Sequence, residues 1–405
     1  MAAANIVGSF FSAVVGICLA RTLMPEALGY LSYVFTIVFF LANFIDLGLS
    51  TYGIREVAGN KARFSDYVSE IASFRLIIAA ALAALLVIMS ILTPDVWSIK
   101  MLLFESAFLL LLWACATEWA FQGLEEMRMV FISLAVTGAL QLTLTMIFIK
   151  GPGDLLKVPL IYFVGAIPIT IIFLRRMHFK FKISLDSFKK MSFYLTSSMV
   201  IWSISVFAQV YNNLDVFLLG LFRSIEEVGY FTVARRIVGG FSMLMMFLAN
   251  ATLPRLACTF AGKDHVEFRR ATHKFVRLSV LLIIFILFPV IVFSRQIIAL
   301  TVGSYYMPAS APLSIMIAGV ALVLFNLPYS TALIAACFEK EVLKQAAASA
   351  ALSIFLNFAL IPKYGMIGAS ISFLSAEALA LGWILWIYDK KIRAHIHNQK
   401  GVKKW

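Results

Sequence analysis

The sequence predicts an all-α integral membrane protein, with about twelve transmembrane helices in two six-helix bundles related by a parallel repeat. Three observations predict it. The first is composition: of 405 residues, 62% are hydrophobic and 14% charged, against a charged share of roughly 25% in soluble domains. A soluble domain of this length cannot cover that much apolar surface. The second is a series of apolar runs, each near the roughly 20 residues a helix needs to cross the hydrocarbon core. Twelve of them use about 240 residues and leave short connections. That excludes a soluble enzyme, a disordered chain, a single-anchor receptor and a large extramembrane domain. The third is an internal repeat at an offset of 200 residues.

In chain order, an N-terminal bundle (1–174) holds helices at about 2–20, 28–47, 71–93, 99–120, 129–149 and 155–174. A basic cytoplasmic linker (175–192) follows. The C-terminal bundle (193–389) holds helices at about 193–222, 228–256, 275–294, 309–337, 341–361 and 366–388, and a basic cytoplasmic tail (390–405) ends the chain. The runs 193–222, 228–256 and 309–337 exceed a bilayer's thickness and must tilt, kink or extend beyond it. No cleavable signal peptide is expected, because the chain starts almost inside its first apolar run.

Lys and Arg set the topology. The connections after even-numbered helices, with the tail, hold 25 of the 34. They include Arg55, Lys61, Arg63 and Arg75, and the linker and tail cations. The odd-numbered connections hold seven: Arg21, Lys100, Lys150, Lys157, Arg223, Arg295 and Lys363. By the positive-inside rule both termini and the linker are cytoplasmic, and the number of spans is even. The same rule accounts for the net charge of +13 without nucleic acid. Cys18, Cys115, Cys258 and Cys337 are widely spaced with no CxxC, so neither a disulfide nor a metal site is expected. The histidines fall in polar stretches. Two basic segments, 179–191 and 260–278, mix Phe, Leu and Ile with Lys and Arg, and read either as interfacial segments or as solvated loops.

The repeat pairs Leu19, Glu26, Gly29, Tyr30, Ile37, Val38 and Arg55 with Leu219, Glu226, Gly229, Tyr230, Ile237, Val238 and Arg255. Its core is Glu-x-[Leu/Val]-Gly-Tyr at a loop-to-helix junction between the first two helices of each half. Six helices per half give both halves the same orientation, a duplication typical of secondary transporters.

Charges in hydrocarbon cost a few kcal/mol each on insertion scales and so face a cavity or a partner. Asp215, Arg235 and Arg236 stand out, in the first two helices of the second half. Ser198, Trp202, Ser205, Gln209 and Asn212 precede Asp215 at helical spacing. Arg236, Gly239, Met243 and Asn250 share a side of the next helix. The first half has Asn5, Ser9, Ser12 and Gly16, then Tyr33, Thr36, Asn43 and Asp46. These faces read as the lining of a hydrated path. Arg235 and Arg236 offer planar donor forks suited to phosphate; alternatively, one of them pairs with Asp215 structurally. Glu105, Glu118 and Glu377 are further carboxylates in apolar runs. Glu105 and Glu118 sit where they can reach water, and Glu377 reads either as a proton or cation site or as an interhelical hydrogen-bond partner. No nucleophile elbow, HExxH, Walker loop or Rossmann pattern is present, so direct ATP use is not expected.

Four stretches resemble the polysaccharide transporters of the MOP superfamily, the Wzx-type O-antigen flippases. They are Ala20-Arg21-Thr22-Leu23-Met24-Pro25-Glu26-Ala27-Leu28-Gly29; Asp46-Leu47-Gly48-Leu49 through Tyr52-Gly53-Ile54-Arg55-Glu56-Val57-Ala58; Asn213-Leu214-Asp215-Val216-Phe217-Leu218-Leu219-Gly220 with Glu227-Val228-Gly229-Tyr230 and Ala234-Arg235-Arg236-Ile237; and Tyr364-Gly365-Met366-Ile367-Gly368-Ala369. The resemblance implies a MOP/MATE-like fold. It implies flipping of undecaprenyl-diphosphate-linked oligosaccharide repeat units from the cytoplasmic to the outer leaflet of a bacterial inner membrane, with polymerase and chain-length regulator as partners. Substrate contacts then fall to Arg235, Arg236, Asp215, Arg21, Arg55, Arg255, Gln209, Asn212, Asn250 and Asn43. H⁺ or Na⁺ coupling falls to Asp215, Glu377, Asp46 and Glu105, with no other cofactor. The alternatives are a MATE-type multidrug or cation exporter, and a membrane glycan polymerase or ligase.

Overall fold

The computed structural model describes residues 2–93, 96–176, 185–262 and 265–402, and every regular element among them is helical. It divides into two compact units, Met1–Phe217 and Leu218–Trp405. Eight stretches are long and apolar enough to cross a membrane. Two of them, Ile6–Gly59 and Glu339–Lys391, have 54 and 53 residues. A straight helix of that length would run about 80 Å, far more than a bilayer core of about 30 Å. Each therefore contains two crossings. Two further long helices, given below as α8 and α9, complete twelve. Large apolar side chains stand on the outside, such as Leu92 at 75% and Leu300 at 78% exposure, as a lipid-facing surface requires.

In the first unit, α1 (Ala2–Asp46) runs through two crossings and breaks at Met24 (φ 63°, ψ 168°), just before Pro25. Pro25 lacks a backbone N–H and disfavours helical backbone at Met24, which places the break. Leu47 and Gly48 then take positive φ, and α2 (Leu49–Gly59) begins. A Cβ at Gly48 would meet Ser198 O at 2.9 Å and Trp202 N at 3.2 Å, so only glycine admits this close backbone approach. Helix α3 (Phe64–Leu92) starts earlier than the apolar run suggests. The predicted helix 99–120 is two pieces, α4 (Trp97–Ala114) and α5 (Glu118–Gly123). After α6 (Met127–Phe148), Asp154 accepts from the Lys150 backbone N–H and the Lys157 ammonium, which together hold its carboxyl below the usual range. Next come α7 (Lys157–Arg176) and α8 (Leu185–Phe222). One core of this unit gathers Leu49, Tyr52, Val68, Ile71, Trp119 and Phe121, with Phe121 stacked on Phe173 at 4.5 Å.

In the second unit, α9 (Ile225–Ala261) is capped by Ser224, whose hydroxyl accepts from the Glu227 N–H. Segment 260–278 is not a loop: most of it is α10 (His265–Leu282), which buries Phe268, Thr272, Phe275 and Ser279 at helical spacing. A π-helical turn (Ile283–Leu287) leads to the short α11 (Phe288–Val292) and α12 (Ser294–Thr301). Then α13 (Ser310–Ala335) packs along α14 (Glu339–Val402), which turns back at Gly365 (φ 55°, ψ −135°). Of segment 179–191, read as interfacial or as a solvated loop, residues 179–184 lie outside the described residues and the rest begins α8.

The repeat is visible in burial. Leu19 and Leu219, Leu28 and Val228, Gly29 and Gly229, and Val38 and Val238 are all buried. Glu26 and Glu226, and Arg55 and Arg255, are exposed in both copies. Tyr30 hydrogen-bonds Glu26 four residues back, and Tyr230 interacts electrostatically with Glu226 at the same spacing.

Candidate functional site

In the first unit the candidate residues occupy separate surroundings. The second crossing of α1 and the middle of α8 enclose a cavity of about 280 Å³. Gln209, Thr36 and Asn213 are its polar lining and Phe40 and Phe217 part of its apolar wall. Tyr33 stacks on Phe217 at its edge, with centroids 6.1 Å apart. Asn212 is exposed, and Asp215 is half-buried with Oδ1 accepting from the Val216 N–H at 2.8 Å. Arg21 is exposed just before the Met24 break. Arg55 is exposed and lies over its neighbour Tyr52, 5.9 Å from the ring centroid.

The first turns of the α8 polar stripe do something other than line a path. Ser198 Oγ donates to Leu47 O at 2.9 Å, and Trp202 Nε1 donates to Asn43 O at 3.2 Å. Leu47 O lies just past the end of α1, where carbonyls lack intrahelical partners, and Asn43 O also accepts from the Leu47 N–H at 3.2 Å. The Asn43 side chain bonds back to Phe39 O. Ser198 and Trp202 thus hold the α1–α2 break against α8.

Asp46 lies at that break. It accepts from the Ser50 N–H at 3.2 Å and, through a short bond, from the Ser50 hydroxyl. Its Oδ1 is 3.9 Å from Arg75 Nη1. Arg75 corrects the sequence reading, which placed it with the cytoplasmic loop cations. It is 8% exposed inside α3 and donates to Ala116 O at 3.0 Å and Trp113 O at 3.3 Å. It therefore neutralises the negative end of α4 at the 115–117 break. Its signal in the sequence was position: four residues into an apolar run, in a segment whose Ser69, Glu70 and Ser73 are also buried. Glu105 is half-buried on α4, with its Oε2 buried and without a hydrogen-bond partner. Glu118 accepts from Ser133 Oγ.

In the second unit Arg235 is half-buried and Arg236 exposed, about 100° apart around α9 as adjacent helical residues are. Arg236 acts electrostatically on Tyr306, whose hydroxyl is buried without a hydrogen-bond partner and whose ring meets Tyr230 edge-on at 6.1 Å. Asn250 is exposed further along α9, and Glu377 is half-buried on α14. Arg255 is distinct: it pairs with Glu267 at 2.8 Å, at the α9–α10 junction. Among the described residues no cluster of three or more His, Cys, Asp or Glu side chains is arranged to hold a metal ion.

The family model described as "Polysaccharide biosynthesis protein" matches residues 1–260, and the MatE model matches 202–360. No curated protein sequence matches the chain. Among solved structures, an inward-facing multidrug resistance MATE family transporter of the MOP superfamily is 15% identical. It covers 96% of this chain and 95% of its own, with a TM-score of 0.69. The lipid II flippase MurJ, in an inward closed conformation, is 14% identical over 95% and 86% of the two chains, with a TM-score of 0.70. A MOP superfamily transporter from Pyrococcus furiosus, reported with reversed polarity of its binding pocket, is 16% identical over 97% and 94%, with a TM-score of 0.57. At these identities the likeness is one of fold.

Proposed function

The chain belongs to the polysaccharide biosynthesis protein family, as a multi-pass membrane transporter of the MOP superfamily, and from that premise we propose that it flips undecaprenyl-diphosphate-linked oligosaccharide repeat units across a bacterial inner membrane. A glycan and a diphosphate cannot cross hydrocarbon unaided. The protein offers them a polar path while the polyprenyl tail stays in the bilayer. The observation that carries this reading is the adjacent pair Arg235 and Arg236 within α9, in a chain whose family is tied to polysaccharide. Planar guanidinium forks match the multiply charged diphosphate better than any neutral polar group. Gln209, Asn212 and Asn43 in the first unit and Asn250 in the second offer amide hydrogen-bond partners for sugar hydroxyls, and the exposed Arg21 and Arg55 add positive charge.

Transport proceeds by alternating access, driven by a H⁺ or Na⁺ gradient acting on Asp215, Glu377, Asp46 or Glu105. One charge moved through 100 mV contributes about 2.3 kcal/mol. The termini are cytoplasmic, and the polymerase and chain-length regulator act on the delivered product.

The test is to delete the gene and follow lipid-linked glycan in each leaflet. The reading expects surface polysaccharide to vanish while the repeat unit accumulates on the cytoplasmic side. Complementation with Arg235→Ala and Arg236→Ala, singly and together, should restore export at least tenfold less well at normal protein level. Wild-type export by the double variant removes the arginines from the mechanism. Unchanged glycan with altered drug susceptibility would instead favour a MATE-type exporter, a reading supported by the MatE match. A change in polymer length alone would favour a polymerase or ligase.

A further inference from the structure

The end of α9 and α10 from Ala271 to Leu281 line a second cavity, of about 460 Å³. It exists because the side chains facing it at its floor are small, Ala251 and Thr252 on α9 and Ala271 on α10. Helix α10 turns Phe268, Thr272 and Phe275 into the protein. That rotation leaves Lys274, Arg277, Leu278 and Leu281 on its open flank, all exposed. They are spaced by three and four, so they form one stripe. The stripe is cationic at one end and aliphatic at the other.

Arg255 closes the cationic end from α9. Among the described residues the carboxylate at this end is Glu267, shared between Arg255 at 2.8 Å and Arg270 at 2.9 Å, so the described charge stays positive. Lys274 and Arg277 remain in excess. The groove is therefore shaped for an amphiphile: an anionic head among three cations, and hydrocarbon along Leu278 and Leu281. The same helix opens the stretch Val266–Val292, which is apolar enough to span a membrane, so the aliphatic end faces acyl chains.

We propose that this groove binds the phosphate headgroup of an acidic phospholipid, with Arg255, Lys274 and Arg277 as its contacts and an acyl chain over Leu278 and Leu281. Arg255 then serves lipid rather than the transported substrate. An acidic lipid bound here staples the α9–α10 junction to the leaflet, a role separate from the arginines of mid-α9.

The full-length protein, purified in detergent, is mixed with phosphatidylglycerol or phosphatidylcholine of matched chains, and retained lipid is counted by native mass spectrometry. Wild type is expected to retain phosphatidylglycerol in strong preference. Lys274→Gln should lower retention about fivefold, and Lys274→Gln with Arg277→Gln about 25-fold, at about 1 kcal/mol per cation. Arg295→Gln with Lys363→Gln removes the same charge at exposed positions outside the groove and should leave retention unchanged. No preference in wild type, or equal losses from the two double variants, overturns the proposal. Displacement by glycerol phosphate at equal concentration would mean that phosphate alone is read, and the lipid assignment fails. Displacement by undecaprenyl diphosphate at equal concentration would return the groove to the transported substrate. If the double variant is misfolded, Lys274→Gln alone decides the matter.

Discussion

A guanidinium withdrawn from water needs acceptors for its donors. Arg75 finds them for its Nη atoms: Trp113 O in α4 and Ala116 O just beyond it accept from them and Asp46 stands at 3.9 Å, while its Nε is buried with no hydrogen-bond partner. The carbonyl bonds are the closer contacts, so they and not the ion pair should dominate its contribution. Arg75→Gln is expected to lower stability by roughly 1.5–3 kcal/mol, the range for hydrogen bonds made by a charged donor, seen as a lower apparent melting temperature in detergent. Asp46→Asn should cost clearly less. Equal losses from the two would make the ion pair the source. Arg75 escaped the sequence reading because a charge count along loops treats every cation near a helix end alike. By contrast Arg235 and Arg236 announced themselves, being too deep in an apolar run to be loop charges. Which flank each occupies was not legible, since that depends on α9's rotation against its neighbours.

Breaks decide how these helices turn back, and they are where the elements were hardest to read. The Gly365 turn in α14 is held by Glu227, whose Oε2 accepts from the Met366 N–H at 3.1 Å while Oε1 pairs with Arg223 Nη2 at 2.9 Å. A carboxylate at the start of the Met366 segment satisfies an N–H with no helical partner and complements the helix dipole. Glycine is required there: φ 55° with ψ −135° is closed to residues with a Cβ, and a Cβ would also lie 2.9 Å from Arg223 Nε. Gly365→Ala is therefore expected to destabilise by about 1–3 kcal/mol, the cost of such a conformation. Gly382→Ala, in open helical surroundings, should be neutral or slightly stabilising. Paired melting curves in detergent check both, and an undiminished Gly365→Ala would show that the turn tolerates a side chain. The sequence offered Tyr-Gly at this turn and Met-Pro at the other. It offered no sign that Met24, a non-glycine residue, takes positive φ, because Pro25 excludes helical backbone there but by itself favours negative φ.

At the scale of the whole chain, hydropathy and duplication were legible because both are sums over many residues. Errors of a turn at each helix end do not disturb them, and the burial of Leu19, Gly29 and Val38 against Leu219, Gly229 and Val238 repeats position by position. The charge asymmetry is the same kind of sum, and it bears on the orientation of the chain in the membrane. If loops rich in Lys and Arg are cytoplasmic, the Lys61–Arg63 turn faces inward and the Pro152–Asp154 turn, between α6 and α7, faces out. Both turns are exposed, and Gly153 has open space around its Cα. Single cysteines at Lys61 and Gly153, in a chain whose four native cysteines are replaced, are therefore clean reporters of side. Gly153→Cys should react in intact cells with a membrane-impermeant maleimide. Lys61→Cys should react only after the membrane is opened, with at least a tenfold contrast. The reverse pattern would place the tail outside. Arg235 and Arg236 would then lie on an inverted path, and export of a cytoplasmic lipid-linked glycan would no longer follow from this topology.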